Sequence, residues 1–394
     1  MKERIVVKIG SQILTRKDGT LDVTRMSALV DQIAELHKKN VEIILVSSGA
    51  VAAGRIEIKA KNKLDTISAR QLYSSVGQVK LINRYSDLFR QHGIICGQIL
   101  ATKEDFATRR HYLNQRNCMS VMLENKVIPI VNENDAISVN ELMFTDNDEL
   151  SGLVAAMMGC KKLIILSNID GIFSGNPSDP ESYIFREIDV QKDDIVDCIQ
   201  SAKSATGRGG MKTKYNIARK VAEEGIEVII ANGRREDILP MLVQGKDIVS
   251  TRFIASKKPA SSVKKWIAHS EGFTKGEIHI NQGAKEVLTG NKAVSLLPIG
   301  VTEIIGNFET DDIVRIIDEQ GNQIGIGRTA YSSDKARELM GKSNTKSGDR
   351  LNLCIFQYHP VQQIIYPVDN KFFHASSHLF VSVYPFSNFD TNFY

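Results

Sequence analysis

Residues 24–50 of this 394-residue chain read TRMSALVDQIAELHKKNVEIILVSSGA and give the clearest indication of how the chain folds. The first part carries apolar residues at spacings of three and four, which predicts a helix over Thr24–Lys39. The run Ile43–Val46 is continuously apolar, as expected of a strand that is buried on both faces of a sheet. The turn Ser47-Ser48-Gly49-Ala50 follows directly, so a helix, a strand and a polar turn succeed one another.

The same alternation continues to about residue 250. Further apolar runs lie at residues 5–7, 127–131, 163–166 and 228–230, with helical segments between them. Continuous apolar runs separated by helices are typical of a parallel sheet that is covered on both faces. We therefore predict an α/β fold, a three-layer sandwich around a mainly parallel sheet, with ligands bound beyond the carboxyl ends of the strands.

The residue composition and pattern of the sequence change twice after residue 250. Lysines and small residues from Ser256 to Lys265 indicate a linker, and short alternating strands with turn glycines follow from Gly276. Beyond about residue 345 the chain is rich in aromatic residues, histidine and serine and poor in charge. The predicted organisation is an α/β domain at 1–255, a linker at 256–274, a small mostly β domain at 275–345 and an aromatic-rich tail at 346–394, which we expect to be poorly ordered.

Composition restricts the class of protein. With 42% hydrophobic and 24% charged residues the chain is an ordinary globular one, and its net charge of +4 favours neither nucleic acid nor a membrane surface as partner. No apolar run approaches the roughly 20 residues that span a bilayer, and no signal-peptide core follows Met1, so we expect a cytoplasmic protein with no membrane partner. The five cysteines lack paired short spacings and are expected to be reduced thiols: Cys96, Cys118, Cys160, Cys198 and Cys354.

Two short clusters combine carboxylate and amide side chains. Val131-Asn132-Glu133-Asn134-Asp135 ends an apolar strand, and Asp146-Asn147-Asp148 follows about ten residues later. Asn and Asp also form turns and helix caps, and either cluster alone fits that role equally well. Together they offer more acceptors than two turns need, which indicates a site for a polar or cationic ligand.

Three glycine-containing segments are suited to binding phosphate. Lys8 precedes Gly10-Ser11, the turn at Ser47–Ala50 precedes a predicted helix, and Thr206–Lys214 combines glycines with cationic and hydroxyl side chains. A solvated strand end and a simple helix cap are the plain structural interpretations of the first two. The sequence contains neither a G-x-x-x-x-G-K-[ST] loop nor a G-x-G-x-x-G after the first strand, which argues against P-loop kinases and Rossmann dehydrogenases.

Other catalytic arrangements are missing from the sequence. The eight histidines are sparse, none stands in a nucleophile-elbow motif, and no His or Cys pair has metal-ligand spacing. What remains is a set of lysines, glycine turns, carboxylates and amides. Phosphoryl transfer requires mainly positioning and neutralisation of charge, and this set of groups is suited to both tasks.

On these segments the chain resembles the amino-acid kinase family. The resemblance covers roughly residues 4–345 and follows the family's order through Val7–Ser11, Ser47–Arg55, Val131–Asp135, Asp146–Asp148 and Gly209–Lys214. The region from Gly276 resembles a PUA domain in the stretches Gly276–Ile278, Ser295–Pro298 and Gly306–Phe308. That appended domain favours the branch of the family that phosphorylates glutamate over the branches that act on acetylglutamate, aspartate or UMP.

The resemblance implies ATP-dependent phosphorylation of the γ-carboxylate of L-glutamate to L-glutamyl 5-phosphate, the first step of proline biosynthesis. It also implies that Lys8 and Lys214 contact the nucleotide phosphates and that Asp148 orients both lysines. The residues implied for binding glutamate are Ser48, Asp135 and Asn147. The residues implied for binding ATP are Lys8, Gly10, Ser167, Asn168, Arg208, Gly209, Gly210, Met211, Lys212, Thr213 and Lys214.

Two positions depart from the family pattern. Ser167-Asn168 stands where a Thr-Asp pair is usual, and Arg208 stands where a small or hydroxyl residue is usual. We also expect Mg²⁺ to accompany ATP, although the sequence identifies no metal ligand, and we expect a homo-oligomer with proline as a feedback inhibitor. Two alternatives stay open: an amino-acid kinase with another acceptor, and an RNA-binding protein that acts through the PUA-like domain.

Overall fold

The computed structural model describes residues 3–58, 63–138, 144, 146–177, 179–192, 210–257, 274–289, 296–342 and 354–357, without the side chains of residues 107 and 354–357. Three sets of predicted features lie outside these residues. They are Arg208 and Gly209, residues 258–273 of the linker, and the tail at 346–394 apart from residues 354–357.

The described part of the larger sheet has eight strands. They are β1 (Arg4–Ile9), β2 (Glu42–Ser47), β3 (Ile95–Ala101), β4 (Val127–Glu133), β5 (Lys162–Ser167), β6 (Glu187–Ile188), β7 (Glu227–Asn232) and β8 (Ser250–Phe253). Their order across the sheet is β3-β4-β2-β1-β5-β7-β8-β6. All neighbouring strands run parallel except β7 and β8, which are antiparallel. The predicted, mainly parallel sheet is therefore confirmed.

Helices connect and cover these strands. In the described ranges they are α1 (Ser11–Leu14), α2 (Val23–Lys38), α3 (Ala50–Glu57), α4 (Thr66–Arg90), α5 (Glu104–Ala107), α6 (Arg109–Glu124), α7 (Asn147–Met158), α8 (Met211–Glu223) and α9 (Ile238–Val243). Helix α2 begins one residue earlier than predicted, because the Asp22 carboxylate accepts a hydrogen bond from the backbone N–H of Arg25 and caps the helix there.

The core lies on both faces of the sheet. Successive strand residues point to opposite faces, so Val6 and Ile44 pack with α6, α7 and α8, whereas Ile5 and Ile43 pack with α2, α4 and α9. All four side chains are fully buried. The sheet is thus the middle layer of a three-layer sandwich, as predicted, and double burial explains why its central strands are continuously apolar.

Strand β3 was not predicted from the sequence. It lies at the edge of the sheet, most of its side chains are only partly buried or exposed, and Gly97 and Gln98 interrupt its apolar residues. An edge strand needs less apolar surface than a central one, so the run of apolar residues that marked the other strands is missing here.

A second sheet is formed by the C-terminal region. Its strands are β9 (Gly276–Ile280), β10 (Val301–Gly306), β11 (Ile313–Ile317), β12 (Gln323–Arg328) and β13 (Cys354–Gln357), in the order β10-β9-β11-β12-β13. Helices α10 (Gln282–Leu288) and α11 (Ser333–Leu339) accompany it. The predicted small, mostly β region is confirmed, with a core that includes Ile278, Phe308 and Ile316. Strand β13 places four residues of the predicted tail beside β12.

Two further observations concern the chain as a whole. Cys96, Cys118 and Cys160 are free thiols, as expected, while Cys198 and the side chain of Cys354 lie outside the described part. Within the described ranges, no helix is both long and apolar enough to cross a membrane.

Candidate active site

The polar clusters predicted from the sequence meet at one edge of the larger sheet. Lys8 is the second-to-last residue of β1, and Ser167 is the last residue of β5. Ser48 follows β2 directly, and Asp135 lies two residues after the end of β4. Because these four strands are parallel and adjacent, their carboxyl ends lie side by side. The fold therefore brings together residues that are far apart in the sequence.

The centre of the site is a buried carboxylate between two lysines. Nζ of Lys8 is 2.5 Å from Oδ1 of Asp148, and Nζ of Lys214 donates a hydrogen bond to Oδ2 of the same residue. The Asp148 side chain is 0% exposed, and those of Lys8 and Lys214 are 6% and 14% exposed. The structure thus brings together the three residues implied to be catalytic.

The position of Asp148 is set by the start of α7. Oδ1 of Asp146 accepts hydrogen bonds from the backbone N–H groups of Asp148 and Glu149 and so caps that helix. Burial alone would raise the pKa of Asp148, but the ammonium groups of Lys8 and Lys214 hold it well below its ordinary value. The same Asp148 carboxylate raises the pKa of Lys214, although burial opposes that shift. Both partners are therefore charged.

Ser48 and Asn147 are joined in a hydrogen-bond network. Nδ2 of Asn147 lies 2.9 Å from Oγ of Ser48 and 2.9 Å from Oδ1 of Asn132, and it donates to both. Nδ2 of Asn132 in turn donates to Oε1 of Gln78 on α4, over 2.8 Å. Ser48 makes no capping hydrogen bond to α3, whose N-cap is Gly49 with φ 111°. The helix-cap interpretation of this turn is therefore wrong, and the Ser48 hydroxyl instead faces the second cluster.

Asp135 contacts an arginine that the sequence did not point to. Nη2 of Arg70 bonds Oε2 of Glu133 at 2.7 Å and also contacts Oδ1 of Asp135. Burial raises the pKa of Asp135 above its ordinary value, while Arg70 lowers it. The acid-amide run is thus a mostly buried polar cluster that also continues into a turn, where the backbone N–H of Ile137 donates to the carbonyl oxygen of Asn134.

The residues implied to bind ATP lie at β1, β5 and α8. The backbone N–H of Gly10 donates to the carbonyl oxygen of Leu166 over 3.1 Å, and a Cβ at Gly10 would lie 3.2 Å from that oxygen. The backbone after β1 therefore approaches that of β5 closely. Gly210 is the N-cap of α8, which places Met211, Lys212, Thr213 and Lys214 in its first turn. Backbone N–H groups at such a helix start are suited to phosphate. Ser167 is the last residue of β5, and Asn168 follows it.

Three site residues were missed from the sequence: Arg70, Gln78 and Asn132. Asn132 stands in the quoted acid-amide run, but its partners are 15 and 54 residues away. Arg70 and Gln78 belong to α4, where a polar residue is the ordinary composition of an exposed helix face. No local pattern in the sequence distinguishes them, because their roles depend on how α4 packs beside β4.

Comparison with known proteins agrees with this architecture. The model of the amino acid kinase family matches residues 3–232, more than half of the chain, and the model of the PUA domain matches residues 276–347. A solved structure of carbamate kinase from Giardia lamblia bound to AMP-PNP is 18% identical, with a TM-score of 0.48, over 65% of this chain and 99% of that one. The two family models define the class: an amino acid kinase with a C-terminal PUA domain.

Curated relatives narrow the class further. Glutamate 5-kinase of Bacteroides thetaiotaomicron is 67% identical over 344 residues, which cover 87% of this chain and 95% of that protein. Glutamate 5-kinase of Chlorobaculum tepidum is 47% identical over 348 residues, or 87% of this chain and 94% of that protein. This chain belongs to the glutamate 5-kinase family. The family resemblance inferred from the sequence is confirmed.

Proposed function

We propose that this chain transfers the γ-phosphoryl group of ATP to the γ-carboxylate of L-glutamate, producing L-glutamyl 5-phosphate and ADP at the first step of proline biosynthesis. The observation that carries the proposal is 67% identity to a glutamate 5-kinase across nearly the whole length of that relative. The geometry agrees, since two lysines and a cluster of carboxylates and amides meet at the strand ends. An acceptor other than glutamate has no comparable support.

The reaction requires little proton transfer. The γ-carboxylate of glutamate is ionised at neutral pH, so no general base has to activate it. One of its oxygens forms a bond to the γ-phosphorus of ATP, while the bond from that phosphorus to the β,γ-bridging oxygen breaks. ADP leaves with the electron pair of the broken bond. The remaining task is to align two anions and to offset the negative charge on the transferred group.

We assign that task to Lys8 and Lys214. Their ammonium groups flank Asp148, which holds both in place before substrate binds and raises the pKa of Lys214. The two ammonium groups supply positive charge for the phosphate oxygens of ATP. A fixed charge in a buried site needs no reorganisation during the reaction, which is the condition for effective transition-state stabilisation.

Glutamate recognition is assigned to Ser48, Asp135 and Asn147. The Asp135 carboxylate suits the α-ammonium group of glutamate. The Ser48 hydroxyl and the Asn147 amide suit the other polar groups of the substrate. The two assignments are supported by the hydrogen bond between Asn147 and Ser48 and by the position of Asp135 after β4. The same three residues would hold the amine and carboxylate of proline, so we propose competitive inhibition by proline, and we retain the expectation of a homo-oligomer.

Mg²⁺ is proposed to accompany ATP. Across the described ranges, no group of three or more His, Cys, Asp or Glu side chains is arranged to hold a metal ion. Asp148, the most buried carboxylate of the site, is already paired with two lysines. Mg²⁺ usually takes few protein ligands and several phosphate or water oxygens. We therefore assign it to the nucleotide phosphates, where it would offset negative charge, and we assign it no protein ligand.

An acceptor screen tests the proposed function. The chain is incubated with ATP, Mg²⁺ and hydroxylamine, which converts an acyl phosphate to a stable hydroxamate, and ADP release is measured in parallel. We expect hydroxamate and ADP in equal amounts with L-glutamate and neither with L-aspartate or N-acetyl-L-glutamate. The acetylated substrate lacks the ammonium group, so the Asp135 carboxylate would lose its substrate partner at a cost on the order of 1 to 3 kcal/mol. Equal turnover of all three acceptors would contradict the proposal.

A further inference from the structure

Arg70 lies close to the proposed glutamate site but has no role in the function described so far. It is in the second turn of α4 and extends to the end of β4, where Nη2 bonds Oε2 of Glu133 at 2.7 Å and also contacts Oδ1 of Asp135. The side chains of Arg70, Glu133 and Asp135 are 15%, 5% and 10% exposed. Ionic contacts at such low exposure are stronger than surface pairs, and the loss of one partner is correspondingly costly.

Other hydrogen bonds already hold the backbone around these carboxylates. Nε2 of Gln71 donates to the carbonyl oxygen of Ala136 over 2.9 Å, and Oε1 of Glu133 accepts from the backbone N–H of Phe144 over 3.0 Å. The path of the chain after β4 therefore does not depend on Arg70 alone. What Arg70 adds is a positive charge that is shared by the two carboxylates.

The charges in this cluster do not balance. In the described part of the chain, the charged groups that face Glu133 are Asp135, from its own loop, and Arg70, from α4. Two carboxylates and one guanidinium carry a net charge of minus one when all are ionised. Burial, with repulsion from Asp135, raises the pKa of Glu133 to about 7 although Arg70 opposes the shift. One further positive charge would neutralise the cluster.

We propose that Arg70 is a positioning residue for the amine of the substrate: it fixes the Asp135 carboxylate and, shared with Glu133, leaves one negative charge that only a cationic amine balances. This inference rests on the proposed function, because the cation concerned is the α-ammonium group of glutamate. The enzyme's selectivity for a substrate with a free amino group is thereby assigned to Arg70, Glu133 and Asp135 together, rather than to Asp135 alone. An acetylated amine carries no charge and would leave the cluster unbalanced.

The first test compares Arg70→Met with Arg70→Lys. We expect Arg70→Met to raise the KM for glutamate about 30-fold or more, with kcat and the KM for ATP within about twofold of wild type, because the change affects the binding of only one substrate. Arg70→Lys keeps the charge and should recover most of the loss. Arg90→Met is the matched control, since Arg90 is exposed in the last turn of the same helix. It should leave all three constants unchanged.

The second test uses Glu133→Gln and pH. In the wild type, Glu133 takes up a proton as pH falls through about 7, the net negative charge is lost, and the KM for glutamate should rise. Glu133→Gln has no group to titrate there. We expect this variant to have a raised KM for glutamate that no longer changes with pH over this range, while its kcat stays near the wild-type value. A role restricted to folding would not remove a pH dependence from one KM.

The outcomes separate the inference from the proposed function. An unchanged KM for glutamate in Arg70→Met, or a wild-type pH profile in Glu133→Gln, would overturn the inference while leaving wild-type glutamate phosphorylation intact. If Arg70→Met does not fold, Glu133→Gln decides, because Gln keeps the size of the side chain and the acceptor for Phe144. A wild-type protein that makes no acyl phosphate from glutamate would overturn both.

Discussion

At the scale of single residues, Asp148 organises the site. It is fully buried, yet ionised, because two lysines from different elements converge on it. Neither lysine would be held so far from solvent without that carboxylate, and the carboxylate would be costly to bury without them. The arrangement prepares positive charge for a substrate that carries several negative charges.

The first prediction concerns the two lysines. Lys8→Ala and Lys214→Ala should each lower kcat roughly 100-fold or more, which corresponds to about 3 kcal/mol for a lost, fixed charge contact. Lys38→Ala, at an exposed position in the last turn of α2, is the control for a general loss of positive charge. Steady-state kinetics with both substrates provides the measurement. Near-normal kcat with a change in KM alone would make the lysines binding groups.

The second prediction concerns Asp146, which caps α7. Burial, followed by repulsion from Asp148, raises its pKa from 3.8 to about 6. Between these values the folded state binds the proton and the unfolded state does not, so this group makes the protein less stable as pH rises. Asp146→Asn keeps the capping oxygen and removes the titration. The unfolding free energy of the variant, measured by denaturant unfolding and expressed relative to wild type, should therefore increase as pH rises from about 4 to about 6. A constant difference would contradict this assignment.

At this scale the sequence was informative about residue type but not about pairing. Lys8, Ser48, Asp135, Asn147 and Asp148 were named because they follow strands or resemble a family motif, and the fold places them at one edge of the sheet. Arg70 was not named, because its partners lie 63 and 65 positions further along the chain. Sequence periodicity indicates which face a residue occupies, but it does not indicate the partner that faces it.

At the scale of elements, the packing of α3 against α4 supports the glutamate site. Two glycines allow the helices to approach: a Cβ at Gly77 would lie 1.8 Å from the carbonyl oxygen of Ala50, and a Cβ at Gly54 would lie 1.8 Å from that of Tyr73. Helix α3 starts two residues after Ser48, and α4 carries Arg70 and Gln78. The close contact therefore fixes two sides of the site relative to each other.

The third prediction tests that contact. Gly77→Ala should lower the unfolding free energy by about 3 kcal/mol, because the clash is with backbone and cannot be relieved by a rotamer change. The KM for glutamate should rise as well. Gly283→Ala in α10 is the control, since its nearest neighbouring atom lies 3.7 Å away and Ala favours a helix. Thermal unfolding and steady-state kinetics provide the measurements, and a fully stable Gly77→Ala variant would contradict the proposed packing.

Elements buried on both faces were the easiest to predict. β1, β2, β4, β5 and β7 each contain an uninterrupted apolar run, whereas edge strand β3 does not. The antiparallel strand β8 was also not predicted, because Ser250–Phe253 contains only one large apolar residue and its burial comes from neighbouring elements. Tertiary packing, not local composition, determines such strands.

At the scale of the whole molecule, the proposed site belongs to the N-terminal α/β region. Every residue to which a role is assigned lies before residue 233, while the second sheet begins at Gly276. The tail from residue 346 was predicted to be poorly ordered, and four of its residues form β13 at the edge of that second sheet. We predict that the tail contributes nothing to catalysis.

The fourth prediction tests this by truncation after Ser343. The shortened chain should keep kcat and both KM values within about twofold of those of the full chain. Its unfolding temperature should fall only slightly, because β13 is short and, among the residues that the structure describes, pairs with β12 alone. Loss of glutamate phosphorylation, or cooperative unfolding at a much lower temperature, would show that the tail is a required structural element.

The central claim is direct attack of the glutamate γ-carboxylate on the γ-phosphorus of ATP, and an isotope measurement tests it most directly. L-glutamate with both oxygens of its γ-carboxylate labelled as heavy oxygen is supplied with ATP and hydroxylamine. Hydroxylamine attacks the carbonyl carbon of the acyl phosphate, so the bridging oxygen leaves with phosphate. We expect one heavy oxygen atom in each phosphate released, by mass spectrometry. Phosphate without the label would mean that water, not the carboxylate, receives the phosphoryl group, and would contradict the proposed function.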